Sequence, residues 1–170
     1  MKPNTIRIIF VVLFAFISVG SLIGFLYLGF MTAFGVGWGG GKISYGELFW
    51  IWKGIVVLFV LSTFSFIGMA KPKKYGLIIA YAIPFGFGAY VLLSFIRFTI
   101  YDFGNDEGLD FSYLIRLLVQ IIIIVGTLSL FTLGLNKIKN QYFKFVPKDY
   151  GISVGLSIIL FLSMYFMLDY

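Results

Sequence analysis

The chain has 170 residues, 61% of them hydrophobic and only 12% charged, whereas soluble domains carry about 25% charge, so a bilayer is the expected solvent. The formal net charge is +6, but the basic residues stand between apolar runs and not along a face shared with exposed aromatics, which argues against nucleic acid as a partner. Neither cysteine nor histidine occurs, which excludes disulfides, thiolate chemistry, most zinc sites and the commonest general base.

A hydrocarbon core about 30 Å thick needs roughly 20 apolar residues of helix, and five stretches meet or approach that length. They run at about 6–30, 48–69, 77–98, 113–135 and 152–168, the last being the shortest. Their apolar runs are continuous instead of alternating, which favours helices over a strand barrel. The expected fold is an all-α integral membrane protein, a five-transmembrane-helix bundle forming a single domain over residues 1–170. Lys2 and Arg7 before an apolar run, with Ser18 and Gly20 as small residues, resemble a signal peptide. The run continues through Phe30, so an uncleaved first helix is expected.

Lysine and arginine set the orientation. With a cytoplasmic N-terminus, Lys2, Arg7, Lys71, Lys73, Lys74, Lys137, Lys139, Lys144 and Lys148 lie inside, against Lys42, Lys53, Arg97 and Arg116 outside. Of the acids, Asp149 alone falls inside, while Glu47, Asp102, Asp106, Glu107, Asp110 and Asp169 fall outside. The bias predicts N-in and C-out.

"PKKYG" at Pro72 to Gly76 returns as "PKDYG" at Pro147 to Gly151, 75 residues later. In the same register Tyr90 matches Tyr165, Ala80 matches Gly155, Ala82 matches Ser157 and Gly88 matches Ser163. Upstream, "ELFWIWK" from Glu47 resembles "DFSYLIR" from Asp110. Two readings fit. One is a parallel duplication of two helical hairpins, spans two and three and spans four and five. The other is convergence of two boundaries on lysine for topology, tyrosine for the interface, and proline or glycine for the turn.

Gly76, Ala80, Pro84 and Gly88 place small residues every four positions along the third span, where another backbone can approach closely. Gly20 with Gly24, and Gly151 with Gly155, form further pairs at this spacing. Such stripes serve packing within a chain more often than contacts between chains. Pro84, beside Gly86 and Gly88, is either a hinge or a static bend, and the matching position holds Ile159, which favours the static reading.

Charges within spans are the first functional candidates. Lys53 is expected one and a half turns into the second span, Arg97 near the outer end of the third, and Arg116 near the outer start of the fourth, with Gln120 one turn deeper. Together Lys53, Arg97, Arg116 and Gln120 predict an outward cationic pocket for a lipid phosphate, an anionic solute or an acidic partner. The alternative is that Lys53 and Arg116 snorkel to the interface and pair with Glu47 or with the acidic outer loop of Asp102, Asp106, Glu107 and Asp110. No acid lies mid-span, which weighs against a proton relay or carboxylate sodium site. Ser62, Thr63, Ser65, Thr127, Ser129 and Thr132 are expected to bond their own helix carbonyls more often than to line a path.

"GVGWGGGK" from Gly35 contains GxGxxG but lacks the strand and βαβ setting of a dinucleotide site, and reads as an outer loop. "YDFGNDEGLD" from Tyr101 lacks the EF-hand ligand spacing and reads as a solvated turn capping the fourth span through Asp110 or Ser112. No cofactor, metal or catalytic constellation is expected. The leading expectation is a small non-catalytic multi-pass protein of a bacterial inner membrane, acting as a subunit or binding partner in a membrane complex. Its partners are lipids, including anionic headgroups, and another membrane protein or itself. A homo-oligomeric channel or transporter for a small anionic or polar solute, and an immunity protein against a pore-forming toxin, are the alternatives.

Overall fold

The computed structural model describes residues 2–105 and 111–167, with backbone alone for 3, 98–105, 111–114, 116 and 117. Its elements are α1 (Pro3–Trp38), α2 (Tyr45–Ile51), α3 (Lys53–Ala70), α4 (Lys74–Asn105), α5 (Phe111–Tyr142) and α6 (Pro147–Tyr165). No strand occurs among the described residues. Four of them, α1, α3, α4 and α5, are long and apolar enough to cross a membrane. The fifth expected span, α6, spends its first turn on Pro147, Lys148 and Asp149 and is not among those four. These features are those of a helical membrane bundle.

Local chemistry explains where the helices begin and end. Pro3 opens α1, a place where a missing N–H costs nothing. At the other end, Gly40 takes φ 76°, and the N–H groups of Gly41 and Gly40 donate to the carbonyls of Val36 and Gly37. This is a Schellman closure, and its left-handed residue favours glycine. The expected "GVGWGGGK" loop is therefore corrected, because Gly35 to Trp38 are the last turn of α1. Ser44 then starts α2: its hydroxyl accepts from Glu47 N–H while the Glu47 carboxylate accepts from Ser44 N–H. Those hydrogen bonds, the backbone one foremost, hold the Glu47 carboxyl below its usual range.

The expected second span is likewise divided. Trp52, at φ −99° and ψ 20°, separates α2 from α3, and its indole donates to Thr32 Oγ1 at 3.1 Å. Lys53 consequently stands at the first residue of α3, not one and a half turns into a span. The acidic loop is also shorter than expected, because α4 stays helical through Asp102 to Asn105. Ser112 falls inside α5 and not ahead of it, while Asp106, Glu107 and Asp110 lie outside the described residues.

Helix α4 is the axis of the bundle, packing against α3, α5 and α6, while α1 covers α3 and part of α5. Leu77, Ala80 and Ala82 on α4 are fully buried, as are Phe14, Leu135 and Leu160 around them. Close crossings occur where glycine removes the side chain. A Cβ on Gly68 would lie 2.5 Å from the Gly76 Cα, a Cβ on Gly86 2.6 Å from the Ser157 carbonyl, and one on Gly54 2.9 Å from the Met164 Cα. Gly134 admits the Phe10 ring, which meets Phe131 edge-on at 4.6 Å. Helices α1, α4 and α6 start, and α3 and α5 finish, at one end of the bundle, here termed the basic end. The other is the far end.

The two-hairpin reading is altered by these contacts. Among the described residues α5 packs on α4 and, over part of its length, on α1, and meets α6 near the basic end, where Lys139 Nζ donates to Tyr150 Oη at 2.9 Å. The second hairpin is thus open, with α6 seated beside α4 and α3.

Candidate functional site

At the far end, Lys53 and Arg97 both reach the last turn of α6. The Lys53 ammonium lies 3.4 Å from the Phe166 carbonyl and 4.5 Å from the Trp50 ring centre. A cation at a helix C-terminus is favourably placed against the exposed carbonyls. The Arg97 guanidinium stands 5.5 Å from the Tyr165 ring centre, a cation–π distance. Gln120 is exposed on α5. Arg116 lies one turn before it on the described backbone, and its side chain is outside the described part. Lys53 and Arg97 thus contact adjacent residues at the end of α6, Phe166 and Tyr165.

Lys53, Trp50 and Phe49 line one side of a cleft of about 720 Å³ between the α2–α3 bend and α6, with Val57, Leu162 and Phe166 completing it. Glu47 and Lys42 face a separate cleft on the other side of Trp50. As the six-residue spacing requires, Glu47 and Lys53 find different partners.

The expected stripe on α4 is used, but on several sides. Gly76 meets Gly68 of α3, Ala80 is buried in the core, and Gly88 abuts Leu128 of α5. Pro84 lies within continuous helix and borders an apolar cleft of about 270 Å³ between α1, α4 and α5. Gly20, Gly24, Gly151 and Gly155 have no neighbour within 4 Å of where a side chain would begin. Packing within the chain consumes one set of glycines and leaves the other open.

The side-by-side placement of α4 and α6 is what sequence reasoning missed. Lys74 Nζ lies 2.7 Å from Asp149 Oδ2, Ser153 Oγ donates to the Ile78 carbonyl at 2.8 Å, and Ser157 Oγ donates to the Ala82 carbonyl at 3.1 Å. Every one of these pairs is 75 residues apart. The two copies of the repeated motif run parallel and in register, and the lysine and aspartate by which they differ bind one another. The signal was present in the register itself, with serines in the second copy opposite carbonyls of the first.

Asp149 also accepts from the Val146 N–H at 2.7 Å, which lets α6 begin at Pro147, whereas lysine at position 74 offers no acceptor and α4 begins there. The Lys74 hydrogen bond first, and the Val146 one next, hold the Asp149 carboxyl below its usual range. Around this pair, Lys74 stands 5.9 Å from the Phe145 ring centre and Arg7 5.4 Å from that of Tyr142, and Tyr142 Oη meets Asn4 Oδ1.

The expected polar-path hydroxyls are spent on backbone. Ser62 and Thr63 donate to the Phe59 carbonyl, Thr127 to Ile123, Ser129 to Val125 and Thr132 to Leu128. Ser65 instead bridges to the Gly76 carbonyl at 3.2 Å, and Thr63 also meets Ser18 at 2.6 Å. Tyr81 Oη donates to Asn136 at 2.6 Å between α4 and α5. Ser94 differs: among the described residues its buried hydroxyl has no hydrogen-bond partner. Among the described residues no three potential metal ligands come together. Compared with known families, characterised proteins and solved structures, the chain matches no family model, no characterised protein and no solved structure.

Proposed function

We propose that this chain is a non-catalytic multi-pass membrane protein that acts as a subunit or binding partner within a membrane complex. The observation that carries the proposal is the disposal of its polar groups: among the described residues the serine and threonine hydroxyls at membrane depth, Ser94 apart, bond to helix carbonyls or join helix to helix. Groups used that way hold a packed bundle together and are withdrawn from a solute path. Among the described residues, those outside helices are Lys2, Trp52, Phe166 and Met167 and the short connections at 39–44, 71–73 and 143–146. Specific contacts must therefore be made by helix faces or by the two ends.

The open glycines support the same reading. In a helix interior glycine costs about 1 kcal/mol relative to alanine, a cost offset at Gly68, Gly76 and Gly86 by close crossings within the chain. Gly20 with Gly24 and Gly151 with Gly155 face open space, and the proposal places a helix from outside the chain against them. In this reading α6 is a fifth span, the basic end is cytoplasmic and the membrane is a bacterial inner membrane, in line with the lysine and arginine bias. Purification in a gentle detergent followed by native mass spectrometry tests the proposal. A second polypeptide, or a second copy, is expected to remain bound, and to be lost on Gly20→Leu with Gly24→Leu. A monomer carrying lipid alone, before any substitution, contradicts it.

A further inference from the structure

We infer that the cleft between the α2–α3 bend and α6 is a binding site for an anionic glycerophospholipid, with the phosphate at Lys53 and the upper acyl chain between Val57 and Leu162. The cleft, at about 720 Å³, is within the size range of small-molecule sites. It is amphipathic in the sense a lipid requires: a cation and the aromatic rings of Phe49, Trp50 and Phe166 near the helix ends, and aliphatic side chains further along. Its one lining hydroxyl, Ser163, already donates to the Ile159 carbonyl at 2.7 Å, so the donors left to meet a headgroup are the Lys53 ammonium and the Trp50 indole N–H, of which Lys53 alone is charged.

Lys53 is equipped for that role. An ammonium has three donors; one faces the Phe166 carbonyl at 3.4 Å, longer than an ordinary N–H···O bond, and another side faces the Trp50 ring. A donor remains for a phosphate oxygen, and the long carbonyl contact is readily exchanged for a charged acceptor. Among the described residues no carboxylate pairs with Lys53; the ion pair there is Lys74 with Asp149. Lys53 also opens the 18-residue helix α3, whose N-terminal end adds a positive partial charge. The nearest acid on these elements, Glu47, is committed to Ser44 and faces the neighbouring cleft. The position is also that of an interfacial aromatic belt.

Native mass spectrometry of the purified full chain, titrated separately with phosphatidylglycerol, phosphatidylethanolamine and diacylglycerol, tests this inference. Phosphatidylglycerol is expected to bind most tightly and diacylglycerol least. Lys53→Gln should weaken phosphatidylglycerol about fivefold, the effect of one lysine near a lipid surface, while Lys53→Arg retains it. Leu162→Trp, which fills the cleft from an exposed position, should also weaken it with no loss of thermal stability, separating occupancy from folding. Equal retention of the three lipids, or unchanged phosphatidylglycerol affinity in both Lys53→Gln and Leu162→Trp, overturns the inference. Because the open glycine pairs are untouched, these outcomes are independent of whether a protein partner remains bound.

Discussion

Asp149 holds two jobs that a single carboxylate can perform at once, ending the exposed N–H of Val146 and pairing with Lys74 across to α4. Its pKa is depressed in the folded chain, so its contribution is present above the ordinary carboxylate range and is lost as pH falls through the depressed folded value. Thermal melts in detergent should therefore decline on acidification below about pH 4, and the decline attributable to this residue should vanish in Asp149→Asn. Lys74→Glu sets two carboxylates together and should lower the melting temperature at pH 7 more than Lys74→Met does. Equal effects of the two would mean that the charge pair contributes nothing.

Between elements, close approach and not sequence pattern alone decides which glycine matters. Gly68→Leu or Gly76→Leu forces α3 and α4 apart where their backbones touch and should cost about 1–3 kcal/mol or more. Gly126→Leu, with open space around it, should be neutral or stabilising by up to about 1 kcal/mol. Removing both Ser153 and Ser157 hydroxyls as alanines should cost about 0.6 kcal/mol each, the average for hydrogen bonds within membranes. Chemical unfolding in mixed micelles measures all of these. The helices themselves were legible, because long apolar runs have no other solution in lipid. Their limits were less so: "GVGW", "YDFGN" and "NKIKNQY" look like loops by polarity, yet α1, α4 and α5 continue through them, with hydrogen bonding propagating beyond the apolar run. The pairing of α4 with α6 was half legible. The lysine, tyrosine and glycine of the repeat serve topology as well as packing, so the letters alone could not separate a boundary from a contact; the lysine–aspartate difference was the part with only one use.

For the whole molecule, the described interior holds the helices together, and the proposed function assigns partner specificity to the outward faces. Cysteine substituted along α4 and α5 of this naturally cysteine-free chain should be protected at Thr127, Ser129 and Thr132 as lipid-facing or packed positions are. A one-sided stripe of labelling by a water-soluble reagent past Gln120 would instead identify a solute path. Of the candidate site, Lys53 and Arg97 stood out in the sequence as charges beside apolar runs, but their shared contact with the end of α6 did not, since it joins positions more than sixty residues apart in the chain. The measurement that bears most directly on the central claim is photocrosslinking in intact membranes, with a benzophenone amino acid at position 24, 155 or 122. Positions 24 and 155 lie on the open glycine faces, and Ile122 is an exposed apolar position on α5. The account predicts a discrete protein adduct from position 24 or 155 and lipid adducts from 122. Lipid adducts alone from both glycine faces would contradict it.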